Sequence, residues 1–215
     1  MYVGYKYGTT GSLENNRLNT NNSTIKTNVD NWYKYNLTAY TKYLSKDAVY
    51  CNDRELAPGS TYSTTSSFNY ASVRRIYTNK QPTYNCTNMS DAFSVNNTSA
   101  KLDYPVGLMT IDELSYAGGE AETALNAPYA WYYTNANGES SYGSEAFYTL
   151  SPNYWRSSSL YLWNVLGSGS LNNCFVGGSV ALRPSVSLSS CNLISRGNGS
   201  PENPYVIYTG NGVCE

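Results

Sequence analysis

The chain has no histidine, so the side chain that most often moves protons near neutral pH is absent. Any chemistry would fall to carboxylates, hydroxyls and thiols. Asp112 and Glu113 lie side by side, but neighbouring helical positions cannot face each other. Glu113 is better placed to cap a helix. Glu120 with Glu122, and Glu139 with Glu145, flank loops. Paired carboxylates are what a glycosidase uses, but these read as solvated loop charges. Ser157, Ser158 and Ser159 have no base partner, so no nucleophile is expected. Asp53 and Arg54 are expected to pair and pin the loop after Cys51. Arg183 is expected to anchor backbone carbonyls or a buried carboxylate. No catalytic residue is assigned.

The five cysteines are Cys51, Cys86, Cys174, Cys191 and Cys214. No CxxC pair occurs, and without histidine a zinc site is not expected. In an exported protein, two disulfides and one free thiol would fit. The expected pairs are Cys51 with Cys86 and Cys191 with Cys214, each closing a loop of useful length. Cys174 is left over. No metal or cofactor is expected.

The segment from Asn153 to Pro184 (NYWRSSSLYLWNVLGSGSLNNCFVGGSVALRP) carries only two charges, Arg156 and Arg183. Flat aromatics on a background of Ser, Gly and Asn compose a paratope, giving contact area at low entropy cost with adaptable hydrogen bonding. The same composition suits buried strands joined by Gly/Ser turns. Both readings are kept: buried scaffold residues alternating with a displayed face. Tyr154, Trp155, Tyr161, Trp163 and Phe175 cannot all point inward, and alternate ones are expected to form an exposed patch. Arg156, Leu166, Asn173, Cys174, Gly177, Gly178 and Val180 complete the expected ligand-binding set. Trp32 and Tyr33 are expected in the core.

Only 13% of the residues are charged, the net charge is -1, and there are 23 tyrosines. A nucleic-acid binder needs a basic stripe to displace counterions, and none is present. No run of eighteen apolar residues exists to span a membrane. Many uncharged polar residues suggest a secreted or surface protein. The chain opens on strand-like residues (MYVGYKY) without a signal peptide, so an export signal is expected further upstream.

These residues need elements to hold them. Tyr2 to Tyr7 reads as a strand and Gly8 to Asn22 as a loop. Ser23 offers an N-cap to a helix from Thr24 to Asn36, with Ile25, Val29, Trp32 and Leu37 at near-helical spacing. Tyr40, Tyr43 and Leu44 suggest a second short helix. Val49 to Cys51 and Val73 to Tyr77 read as strands, Arg54 to Tyr70 as a long surface loop, and Tyr104 to Met109 as a strand. Thr110 with Glu113 forms a capping box, opening a helix that stops at Gly118-Gly119. Phe147 to Leu150, Leu160 to Leu166, Ala181 to Leu188 and Tyr205 to Tyr208 read as further strands. Helices early and strands late favour an α+β domain.

Several phrases, taken in order, carry a resemblance. They are Asp30-Asn-Trp-Tyr-Lys-Tyr-Asn-Leu37, Cys51-Asn-Asp-Arg54, Tyr104-Pro-Val-Gly-Leu-Met-Thr-Ile-Asp-Glu113, Ala117-Gly-Gly119, Tyr148-Thr-Leu-Ser-Pro152, Leu182-Arg-Pro-Ser-Val-Ser-Leu188 and Gly197-Asn-Gly-Ser-Pro-Glu-Asn-Pro-Tyr-Val206. The chain resembles bacterial and phage surface domains of C-type-lectin-like fold. That fold is shared with formylglycine-generating enzymes and the variable proteins of diversity-generating retroelements. The resemblance implies a single domain over residues 1–215, with two main helices packed on small twisted antiparallel sheets. It also implies that the segment 153–180 is displayed.

In retroelement-diversified members, adenines in that segment are rewritten. An AAC codon can then become Tyr, Ser, Phe, Cys, Gly, Val, Leu, Arg and others, but never Lys, Glu or a stop. Every residue from Asn172 to Val180 is reachable, as are Tyr154, Arg156, Tyr161, Leu166 and Gly167. Trp155 and Trp163 are not, so they are fixed positions or count against diversification. Calcium-dependent sugar binding is not carried over, because Trp163-Asn164-Val165 lacks the carboxylate of the lectin pattern and Pro201-Glu202-Asn203 has the wrong order. The formylglycine-generating activity is not carried over either, since Cys174 stands alone in its segment.

The expected function is a non-catalytic extracellular binding domain for a protein or glycan on another cell, a host or a phage target. The rivals are a pilin- or fibre-associated subunit that binds its own copy through the same face, and an enzyme acting on polysaccharide through its loop carboxylates. Oligomeric state is not legible.

Overall fold

The computed structural model describes residues 13–14, 17–20, 22–125, 146–178, 180–200 and 202–210. The expected strand at Tyr2 to Tyr7, the carboxylates Glu139 and Glu145, and Cys214 lie outside them. The architecture mixes a few helices with small antiparallel sheets. No helix among the described residues is long and apolar enough to cross a membrane.

Helix α1 (Thr24–Asn36) starts where the Ser23 hydroxyl accepts a hydrogen bond from the Lys26 amide. Val29 and Tyr33 face inward, four residues apart on one stripe. Lys26 is also buried, with its ammonium held by Asp30 and Asp103. A 3₁₀ helix, Thr38–Tyr43, carries the stripe on to the buried Tyr43.

Among the described residues, four sheets of two or more strands follow. Strand β1 (Tyr50–Cys51) pairs with β3 (Ala92–Phe93). Strand β4 (Gly107–Leu108) pairs with β8 (Pro184–Ser185). Strand β9 (Ile194–Arg196) pairs with β10 (Val206–Ile207). The main sheet has the order β2–β5–β6–β7, built from Phe68–Asn69, Phe147–Arg156, Ser159–Val165 and Leu171–Phe175. Gly107 cannot carry a side chain, because an added Cβ would sit 2.3 Å from the Tyr50 ring lying across it.

Helix α3 (Ile111–Tyr116) begins with the capping box read from the sequence. The Thr110 hydroxyl accepts from the Glu113 amide, and the Glu113 carboxylate accepts from the Thr110 amide. Cys51 and Cys86 form the expected disulfide. Cys191 is also disulfide-bonded, and Cys174 is a free thiol.

Three expectations are corrected. Val73 to Tyr77 is not a strand: α2 (Ala71–Val73) runs into a π-helical turn, Arg74–Asn79. Val73, Ile76 and Tyr77 pack together against one core, and their i, i+3, i+4 spacing is helical. The stretch Arg54 to Tyr70 is not wholly a surface loop, because Arg54, Phe68 and Tyr70 are buried and Phe68–Asn69 joins the main sheet. Asp53 and Arg54 do not pair with each other. Arg54 pairs with Asp91 (2.5 Å) and Asp53 with Arg75 (2.9 Å), since successive residues of an extended chain point to opposite sides.

The main sheet carries a core on each face. From β6, Leu160 and Leu162 enter a core shared with α1, Phe68, Tyr70 and Trp155. Trp163 and Val165 enter a second core, with Ile76, Ile111, Leu114, Phe147 and Leu171. Alternation along the strand assigns the faces.

Candidate binding face

Among the described residues, the cores do not cover the second face of the sheet along its whole length. Tyr161 lies two residues from Trp163, on the same side of β6, but belongs to neither core. Its cross-strand partners are Tyr154 on β5 and Phe175 on β7. Tyr154 and Tyr161 stack with ring centroids 4.4 Å apart, and Phe175 tilts against Tyr161 at 6.1 Å. All three rings are half-buried. The result is a three-strand aromatic strip at the open end of the sheet.

Polar groups run along the strip. The Tyr154 hydroxyl donates to the Asn173 side-chain carbonyl at 3.3 Å. Tyr77, from the π-helical turn, lies over Trp163 with centroids 4.9 Å apart and also reaches Asn173. Tyr77 is part of this arrangement and was not in the expected set; its helical spacing from Val73 was the signal that could have found it. Burial raises the pKa of both Tyr154 and Tyr77 above the ordinary phenol value, so both hydroxyls keep their protons at neutral pH and can donate.

The turn that brings β5 and β6 together has two residues with positive φ, Ser157 (51°) and Ser158 (62°). A two-residue hairpin loop of this hand matches the right-handed twist of its strands. Non-glycine residues there cost about 1–2 kcal/mol each. That cost is met by the long β5–β6 ladder, and the turn leaves Arg156 exposed at the edge of the strip.

The far end is set by Gly177 and Tyr148. An added Cβ at Gly177 would lie 2.3 Å from the Phe175 ring, so only glycine lets the ring fold onto the backbone there. The Tyr148 hydroxyl donates to the Phe175 carbonyl at 2.6 Å, fixing the end of β7.

The expected ligand-binding residues therefore divide. Tyr154, Arg156, Tyr161, Asn173, Phe175 and Gly177 lie along or beside the open strip. Trp155 and Trp163 are 1% and 0% exposed and cannot touch a ligand. Trp155 packs parallel to Phe68 in the first core, and the Trp163 indole N–H donates to the Ser72 hydroxyl at 3.0 Å in the second. Cys174 and Val180 pack against the first core. Leu166 and Gly178 sit, part-exposed, in turns.

Among the other expected sites, Glu113 serves the cap, and Glu120 and Glu122 are exposed. The Arg183 guanidinium lies 4.5 Å above the Phe147 ring, a cation–π contact.

A scan of family models, a search of curated proteins and a search of solved structures each found no match to this chain.

Proposed function

We propose that this chain is a non-catalytic extracellular ligand-binding domain on a C-type-lectin-like scaffold. Its binding face is the strip of Tyr154, Arg156, Tyr161, Asn173 and Phe175. The observation that carries the reading is the division of one sheet face: Trp163, Val165 and Leu171 are sealed in a core, while Tyr154, Tyr161 and Phe175 continue the same face half-open. Half-buried aromatics on a rigid, hydrogen-bonded frame present contact area at little entropy cost. A central aromatic cluster beside an arginine matches the composition of binding hot spots. The Cys51–Cys86 disulfide fits an oxidising, extracellular compartment.

The same division supports diversification of the segment 153–180. The two tryptophans that no AAC-derived codon can encode are buried, while of the reachable residues Arg156 is exposed and Tyr154, Tyr161, Asn173 and Phe175 are half-buried. Fixed residues behind and variable ones in front would let the face change without unfolding the chain. The partner on this reading is a protein or glycan on another cell, a host or a phage target.

The test compares Tyr161→Ala and Phe175→Ala with the parent chain for capture of intact bacterial and host cells. Melting temperature and size-exclusion volume are measured in parallel. Capture should fall at least tenfold while the melting temperature changes by only a few degrees. Unchanged capture sinks the reading. A change of oligomeric state in these variants would point instead to a fibre subunit that uses the strip on its own copy.

A further inference from the structure

Strand β7 is the outer strand of the main sheet, and its outer edge is only partly used. The Leu171 amide donates to the Glu120 carbonyl at 3.0 Å, and the Leu171 carbonyl accepts from the Glu122 amide at 2.9 Å. Ala121 thereby bridges Leu171 as a parallel neighbour. The chain then turns away at Glu122, whose φ is 57°, and the Leu125 amide returns to the Ser168 carbonyl. In an antiparallel ladder alternate residues face the same side, so Asn173 and Phe175 repeat the outward direction of Leu171. Among the described residues, no strand pairs with them there. The Asn173 amide is capped by the Asn172 side chain at 2.8 Å, and the Phe175 carbonyl accepts from the Gly178 amide. The Asn173 carbonyl and the Phe175 amide remain on the open edge. The other edge of the sheet is closed: the Asn69 carbonyl of β2 accepts from the Ala57 amide, and Leu56 bridges Tyr70.

We propose that an extended peptide segment of a partner protein binds by adding a strand to the open edge of β7. This mode rests on the aromatic strip being the binding face, and it narrows the partner from protein or glycan to a protein strand. Another backbone is the ligand whose donors and acceptors recur at the spacing of the edge. In strand addition the main chain supplies affinity and alternate side chains supply specificity. Side chains on one face of the added strand would fall beside Asn173 and Phe175, and so along the strip. Strand β7 also lacks the usual devices that protect an edge. Leu171 to Phe175 holds no charge and no proline, and its pairing with β6 runs in register without a bulge.

The charges around the edge set the character of the peptide. Glu120 and Glu122 are exposed at its Leu171 end. Lys80 lies 3.9 Å from Glu120. Glu122 has no ion pair among the described residues and reaches the Tyr77 hydroxyl. A peptide with Lys or Arg at the Glu122 end, and an aromatic or aliphatic residue over Phe175 and Tyr161, complements this edge. A second copy of the chain fits less well. Its own β7, run antiparallel against this one, would cross Leu171, where Glu120 to Glu122 already lies. A free peptide can end there. The edge also suits a face whose side chains change, because backbone groups survive every substitution and one binding mode can serve many sequences.

The experiment selects a phage-displayed library of random peptides of about twelve residues, enough to pair along a strand of ordinary length, on the whole chain. Enriched peptides are then measured by calorimetry. Selection should enrich Lys or Arg next to aromatic or aliphatic residues. Methylating the peptide's backbone nitrogens one at a time should weaken binding about tenfold at alternate residues and little between them, since only alternate amides face β7. Tyr161→Ala should weaken binding about tenfold. Glu122→Gln should weaken it about threefold, and more at low salt. No enriched peptide, binding indifferent to methylation at every position, or affinity unmoved by Tyr161→Ala would each overturn the proposal. So would dimerisation of the chain through this edge, seen by size exclusion without peptide. Cell capture that strip variants lose, and that free glycans block but no peptide does, would leave the strip reading standing and sink this one.

Discussion

Trp163→Ala should lower stability by about 3–5 kcal/mol, the usual cost of emptying a large aromatic site in a core. The ring is wholly buried, lies tilted against Tyr77 and donates its indole N–H to Ser72. The Ser72 hydroxyl in turn donates to the Pro152 carbonyl at 2.7 Å. Removing the indole opens a cavity between the sheet and the π-helical turn, and strips a partner from a buried hydroxyl. For a chain of this size the melting temperature should fall by about 6–20 °C. Tyr161→Ala, two residues earlier on the same face, should cost about 1 kcal/mol, mostly its stacking on Tyr154. Thermal unfolding of the two variants side by side checks the contrast. Equal losses would mean that Tyr161 is as much a core residue as Trp163.

A loss of similar size is expected from Arg75→Ala. The guanidinium grips Asp112 with two bonds of 2.7 Å and Asp53 with a third of 2.9 Å. Burial alone would lower its pKa; the hydrogen bonds and charge of Asp112, and then of Asp53, more than offset this and leave it raised. The triad ties the π-helical turn to the start of α3 and to the chain after β1. Without Arg75, Asp112 stays buried with no counter-charge, a defect that costs about 3–5 kcal/mol. Urea unfolding should show a lower midpoint at an unchanged slope. The paired change Arg75→Met with Asp112→Leu should recover most of the loss, because replacing a buried ion pair by apolar residues is often neutral. If the double variant is as unstable as the single one, the cost lies in lost geometry rather than in a stranded charge.

Local signals in the sequence were read well, and signals that depend on distant partners were not. The helix Thr24–Asn36 and the Thr110–Glu113 box follow from residues within one turn of each other. The disulfide Cys51–Cys86 followed from loop length and compartment. The β-branched and aromatic residues from Val73 to Tyr77 raise strand propensity, while the helix is held by packing against Trp163 and Leu114, far along the chain. Arg54 looked bound to its neighbour Asp53, but Asp91 lies across the β1–β3 pair.

Within the candidate face, the composition of 153–180 was legible and the assignment of sides was not. Strand β7 alternates Leu171, Asn173 and Phe175 towards the second face, with Asn172 and Cys174 away from it. That period was present in the sequence. Which residues it buries depends on the packing of α3 and the π-helical turn on the sheet, and Tyr161 belongs to neither core. The tryptophans are ambiguous in the sequence because an indole suits an interface as well as a core. The open edge of β7 gave no motif at all, since which side of a strand is left unpaired depends on the order of strands in the sheet, which no local pattern shows.

The most direct test of a rigid body behind a changeable front is a pair of display libraries. One randomises Tyr154, Arg156, Tyr161, Asn173 and Phe175; the other randomises Trp155, Leu160, Leu162, Trp163 and Val165. Both are scored for protease resistance and then selected on unrelated protein and glycan targets. Most members of the first library should stay folded and yield binders, and few of the second should fold. Collapse of the first library to the level of the second, or a folded first library that yields no binder to any target, would contradict the account.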